Sequence, residues 1–262
     1  MITADNRDAG AISSKRYVWL SAVPVLLVAG AWAVATYGGF VGPFFLPTPS
    51  AVIVSAIQLF RSHGYVNDIV ASLARVLVAF GLCAATAVPL GLLMGRSPII
   101  TAVLSPFVVV MRYVPISAFI PLLILWAGIG TFQKVLFLWL GTFFYLLALV
   151  ADATASVAPE LIDTAATLGA TRPQVLVRVI FPAALPAILD ALRVMMGVGW
   201  TYLVLAEIVA AESGIGYMIM ESQRFLKTPR VFVGILTVGA IGLGLDFLLR
   251  STRDLLLPWA RT

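Results

Sequence analysis

Long apolar stretches alternate with short polar ones along the chain, and their lengths predict about six membrane-crossing helices. The first charge-free stretch, residues 18–37, is long enough to cross a hydrocarbon core of roughly 30 Å as a helix. It exceeds the roughly 7–15 apolar residues of a secretory signal, and residues 4–16 before it are polar, so it is expected to remain as a first span. Residues 38–50 are rich in Gly and Pro and end in Leu46-Pro47-Thr48-Pro49-Ser50. Such breakers predict a loop, with Ser50 placed to cap a short helix over residues 51–61. A second span is expected over residues 69–94, closed by the tight connection Gly95-Arg96-Ser97-Pro98.

Residues 99–133 are apolar apart from Arg112 and carry Pro106, Pro115 and Pro121. The stretch is too long for one straight span, and its prolines predict a helix broken near Tyr113-Val114-Pro115. Broken backbone at membrane depth is tolerated only against protein or a water-filled cavity, so this stretch is expected to line a pathway. Further spans are expected over residues 135–151, 187–208 and 231–249. Between the fourth and fifth lies the longest polar piece, residues 152–182, in which Pro159 opens a helix and Gly169 interrupts it. An even number of spans puts both termini on one side. That side collects nine Lys and Arg, among them Arg96, Arg172 and Arg253, against five on the other, among them Lys134 and Lys227. The positive-inside rule makes both termini and the 152–182 loop cytoplasmic.

Composition changes the picture only by removing alternatives. Hydrophobic residues make up 61% of the chain and charged ones 11%, with a mean hydropathy of +1.04. A soluble domain carries about 25% charged residues, so the bilayer is the expected solvent. The net charge is +5, but Lys and Arg sit in short pieces between apolar stretches and form no nucleic-acid footprint. Cys83 is the single cysteine and cannot form an intrachain disulfide; His63 is the single histidine. No cluster has metal-ligand spacing, so neither a metal nor a cofactor is expected in this chain. No Gly-x4-Gly-Lys-Ser/Thr loop is present to cradle a nucleotide, and no nucleophile and base share one depth. Nothing marks a second domain, and the whole of residues 1–262 reads as one transmembrane unit.

The 152–182 loop carries the most specific pattern. It contains Asp163-Thr164-Ala165-Ala166-Thr167-Leu168-Gly169, and then Val179-Ile180-Phe181-Pro182. This resembles the EAA loop of bacterial ATP-binding-cassette (ABC) importer permeases. Asp163 stands for the usual Glu and Thr164 for the first Ala; Ala165, Gly169 and Pro182 match, and Val179 and Phe181 fill the apolar places. In that family the loop forms a coupling helix that docks on an ATPase subunit. A small-residue face would let the partner approach, Gly169 would let the chain leave the helix, and Pro182 would stop any continuation. The resemblance extends along nearly the whole chain. It is nearest to the subgroup for nitrate, sulfonate, taurine and bicarbonate, through Leu46 to Ser50, Ser72-Leu-Ala-Arg75, Arg112-Tyr-Val-Pro115, Ala206-Glu207 and Gly214-Ile-Gly216.

The resemblance implies an all-α, polytopic protein of the bacterial inner membrane with a type I ABC importer permease fold. ATP and Mg would be used by separate ATPase subunits. A second permease copy, as a homodimer, and an external substrate-binding protein would complete the assembly within the membrane lipid. The solute implied is a small anion; a permease for an uncharged or cationic compound, or a stand-alone secondary transporter, is the alternative.

Two ionisable residues at membrane depth stand out, because such groups are expensive there and face the bundle interior. Arg112 lies just before Pro115, and Glu207 near the outer end of the fifth span. Arg112, Pro115 and Glu207 are therefore candidates for the path or its gate, with Arg112 either attracting an anion or pairing with Glu207. Asp68 and Arg75 are seven positions apart and are expected at the interface, as are Trp126, Trp139 and Trp259. Asp190, Arg193 and Asp246 are expected at solvated inner ends of spans.

Overall fold

The computed structural model describes residues 14–61, 63–210 and 212–258, and these contain helices and turns with no strand. Arg7, Trp259, Arg261 and the two terminal residues lie outside them. Helix α1 is Ser14–Tyr37, α2 Pro49–Arg61 and α3 His63–Arg96. After α4, Pro98–Tyr113, comes a 3-10 turn, Ile116–Phe119, and then α5, Ile120–Ala127. Helix α6 is Thr131–Ala155, α7 Pro159–Thr167 and α8 Arg172–Val175. A π turn, Leu176–Ile180, leads into α9, Phe181–Ala210, followed by α10, Ile215–Arg224, and α11, Thr228–Leu256.

Four helical stretches are long and apolar enough to cross a membrane: Gly64–Arg96, Thr131–Ala155, Arg172–Val209 and Thr228–Leu256. The pair α4 and α5 makes a fifth if counted as one bent span, and α1 contains the shorter apolar helix Ala22–Tyr37. The break falls where the prolines predict it. Ser97 opens α4 by accepting the Ile100 amide, with Pro98 in the first turn. Val114, extended at φ −73° and ψ 123° ahead of Pro115, ends it. Helices α4 and α5 meet at 91°.

Helix α6 is the centre of the bundle. Phe137, Leu146, Leu147 and Val150 on it are almost wholly buried. Against it lies α3, whose Gly91 and Gly95, one turn apart, leave no room for a side chain: a Cβ at Gly91 would come 2.7 Å from Cβ of Val150. Small residues one turn apart are how two helices approach closely without water to drive them together. Helix α9 packs on the same core through Ile188 and Met195, and α10 is held between α9 and α11.

Two local expectations are corrected. Thr48, not Ser50, caps α2: Pro49 is the first helical residue and the Thr48 hydroxyl accepts the Ala51 amide at 3.3 Å. Pro182 does not stop the helix. From Arg172 to Val209 the chain is one helical rod, and Pro182 stands in the first turn of α9. The π turn just before it absorbs the mismatch: the Phe181 amide reaches the Leu176 carbonyl five residues back. The Trp139 indole donates to Thr86 on α3 at 3.1 Å and its ring stacks on Phe143, which joins α6 to α3.

Candidate functional site

Three sites emerge from these helices, the first at the Arg172 end of the long rod. Helix α7 starts at Pro159 and ends in a closed turn around Gly169, whose φ of +81° is left-handed. The Gly169 amide bonds the Ala166 carbonyl and the Ala170 amide the Ala165 carbonyl, both at 3.0 Å. This pair of bonds is the Schellman ending, which needs a left-handed residue at the Gly position. Ile162, Ala165 and Ala170 pack against the bundle core. Ala165 is half-buried, and its small side chain lets α7 sit close to its own bundle. Facing out are Asp163, Thr164 and Leu168, with Leu168 83% exposed. Pro182 lies on the rod, in the first turn of α9.

The second site, near the other end of the rod, is a buried polar network. Arg75 on α3 places Nη1 2.5 Å from Oε1 of Glu207 on α9, and both side chains are almost fully buried. The same nitrogen donates to the Ser213 carbonyl at 2.8 Å, and Nη2 to the Ser213 hydroxyl at 2.7 Å. Ser72 donates to the Glu207 carboxylate at 2.9 Å and accepts the Ile215 amide at 2.9 Å. The Gly216 amide donates to Glu207, and the Gly214 amide to Asp68. Gly214 has φ +118° and lies so close to the Glu207 carboxylate that no Cβ fits. Asp68, Ser72 and Arg75 thus pin the segment before α10 onto α3 and α9. Arg75 is buried and Asp68 half-buried, and both are held inside this network. The sequence signal was available in their spacing, because residues 68, 72 and 75 fall on one helical face. Beside this network Lys134 is also buried, with Nζ donating to the Gly130 carbonyl at 3.1 Å.

The third site surrounds the break. Arg112 does not pair with Glu207, which Arg75 already occupies. The Arg112 guanidinium lies over the Tyr145 ring, 5.2 Å from its centroid, and the Tyr145 hydroxyl donates to the Arg112 carbonyl at 2.7 Å. Arg112, Tyr113, Pro115, Ile116, Tyr145 and Tyr202 bound a hollow of about 190 Å³. A second hollow of about 230 Å³ meets the same arginine beside Val109. Gly141 forms part of the floor, and a Cβ there would come 2.8 Å from the Tyr202 ring. The bend at Pro115 is what opens this space, by swinging α5 away from the line of α4.

Other charges are paired between α9 and α11. Arg193 holds Asp246 through two bonds of 2.5 and 2.8 Å, and Arg253 approaches Asp190 at 2.9 Å. These half-exposed groups are cross-linked and not merely solvated. Among the described residues no three His, Cys, Asp or Glu side chains are grouped to hold a metal ion.

Comparison with known proteins agrees with this architecture. The chain is 36% identical over 233 residues to the taurine transport system permease protein TauC of Escherichia coli (strain K12), covering 87% of this chain and 84% of that protein. It is 34% identical over 247 residues to the aliphatic sulfonates transport permease protein SsuC of Bacillus subtilis (strain 168), covering 94% and 89%. In fold it is similar to the MetNI methionine ABC transporter in an inward-facing conformation, with TM-score 0.60 and 20% identity over 71% of this chain and 94% of that one. An amino acid ABC transporter crystallised with histidines gives TM-score 0.60 and 20% identity, over 78% and 95%. Residues 87–254 match the family described as binding-protein-dependent transport system inner membrane component. The chain belongs to that family and is a membrane-spanning transport permease.

Proposed function

We propose that this permease carries a small sulfonate-type anion through an ATP-driven importer, with ATP and Mg handled by a separate ATPase subunit. The observation that carries the anion reading is Arg112, a cation at the break with the Tyr145 ring as its neighbour and open space on two sides. Relatives for taurine and for aliphatic sulfonates, at 36% and 34% identity, point the same way. The ATPase docks on α7 through the outward face around Asp163, Thr164 and Leu168, with Gly169 setting the helix end. An external binding protein delivers the solute on the side of Glu207, and both termini lie in the cytoplasm.

The test is reconstitution. The permease is purified together with its ATPase and binding protein and placed in vesicles loaded with ATP. Taurine or an alkanesulfonate should then be taken up and should stimulate ATP hydrolysis. Uptake that continues without the ATPase would favour a stand-alone secondary transporter. Competition by uncharged or cationic analogues, with none by sulfonates, would refute the anion.

A further inference from the structure

We propose that the anion site in the path is built by two copies of this chain, one Arg112 guanidinium from each, and is incomplete in either copy alone. The inference rests on Arg112 belonging to the path, as above, and adds what faces it. The first observation is depth. Tyr145 lies just past the middle of the 25-residue α6, and its hydroxyl bonds the Arg112 carbonyl. Arg112 is therefore level with the middle of a span, about 20 Å from the first residue of α6.

The second observation is exposure. Arg112 stands open on the surface of the chain. The ion pairs of the described residues use Arg75, Arg193 and Arg253, and no described carboxylate lies within 4.0 Å of Arg112. Its surroundings are apolar and aromatic, with Tyr113 85% exposed and Val109 47%. An apolar face of this kind can meet lipid, but a guanidinium at mid-depth cannot do so cheaply. Something polar or protein must cover it.

A second copy meets that requirement with a definite geometry. A two-fold interface uses the same patch on both copies, and residues on its axis meet their own counterparts; the proposal puts Arg112 at that axis, opposite Arg112 of the other copy. Two guanidiniums facing one another in a low-dielectric cleft repel, and an anion between them removes the repulsion. A sulfonate has three equivalent oxygens and can accept from both at once, as planar guanidinium forks prefer. The hollows on either side of Arg112, about 190 and 230 Å³, suit a small organic anion. They lie below the roughly 300–1,000 Å³ usual for a drug-sized ligand.

Mixed pairs test this. Wild-type and Arg112→Gln copies carrying different tags are co-expressed with the ATPase and binding protein, and mixed pairs are isolated by both tags. Taurine uptake in vesicles is the readout. With both copies changed, uptake should be lost; with one changed, it should fall about tenfold or more, because one cation alone holds the anion weakly. Mixed pairs working near half the wild-type rate would overturn the shared site, since each arginine would then act alone. Unchanged uptake with both copies altered would instead refute the path reading itself. An independent measurement needs no solute. In a Cys83→Ala background, Arg112→Cys copies should be joined by a flexible bis-methanethiosulfonate reagent. Assembled pairs that give no such link would also overturn the proposal.

Discussion

Arg75 on α3 and Glu207 on α9 face each other at 2.5 Å inside the bundle, 132 positions apart in the chain. Each also holds the segment that leads into α10, Arg75 through Ser213 and Glu207 through Gly216. One ion pair thus fastens three helices together at the end of the molecule remote from α7.

Breaking one side of this pair should be worse than removing both. Arg75→Gln or Glu207→Gln leaves an uncompensated buried charge, expected to destabilise by about 3–5 kcal/mol. The double change removes both charges and should recover much of that loss. Thermal unfolding of the purified complex in detergent measures all three variants. Equal loss in the single and double variants would contradict the pairing.

Gly214 and Gly128 separate conformational strain from lack of space. Both lie in a backbone region open almost only to glycine, Gly214 at φ 118° and ψ 167°, Gly128 at φ 71° and ψ −172°. A Cβ at Gly128 meets nothing within 4 Å, whereas one at Gly214 collides with the Glu207 carboxylate. Alanine at Gly214 should therefore cost about 1–3 kcal/mol more than alanine at Gly128. Comparing the two melting temperatures decides it.

A Cβ at Gly169 meets no atom within 4 Å, but in Gly169→Leu the residue must hold φ at +81°. The expected penalty is about 1–2 kcal/mol of backbone strain, concentrated in the last turn of α7. Membrane insertion should survive while co-purification with the ATPase falls, and Gly169→Asn should be milder. Thr167→Ala is the control, since that exposed hydroxyl bonds only the Asp163 carbonyl. Normal ATPase binding by Gly169→Leu would remove α7 as the docking helix.

Orientation is checked by single cysteines in a Cys83→Ala background. Leu168→Cys should react with a membrane-impermeant maleimide only from the cytoplasm, and Phe225→Cys only from outside. Both positions are well exposed, at 83% and 65%. Labelling from the same side would refute the proposed arrangement of spans.

The break at Pro115 and the helix end at Gly169 were legible because proline and glycine act on the backbone locally. The partner of Glu207 was not. Choosing Arg75 over Arg112 requires the rotation of α3 and α4 about their own axes, which hydropathy does not contain. The spacing of Asp68, Ser72 and Arg75 marked a polar face on α3, but not what it met. That Ala165 packs partly on its own bundle was not legible for a related reason: a small residue on an amphipathic helix permits close approach on whichever side packing selects. Pro182 misled because the helix widens into a π turn just before it, and the chain runs on through a proline that stands in the first turn of α9.

The rod from Arg172 to Val209 runs on through that π turn as one helical stretch. At 1.5 Å per residue its 38 residues span about 57 Å, from beside α7 to the Glu207 network. One continuous backbone, packed on α6 along the way, therefore ties the α7 end of the bundle to the ion pair of Glu207 and Arg75.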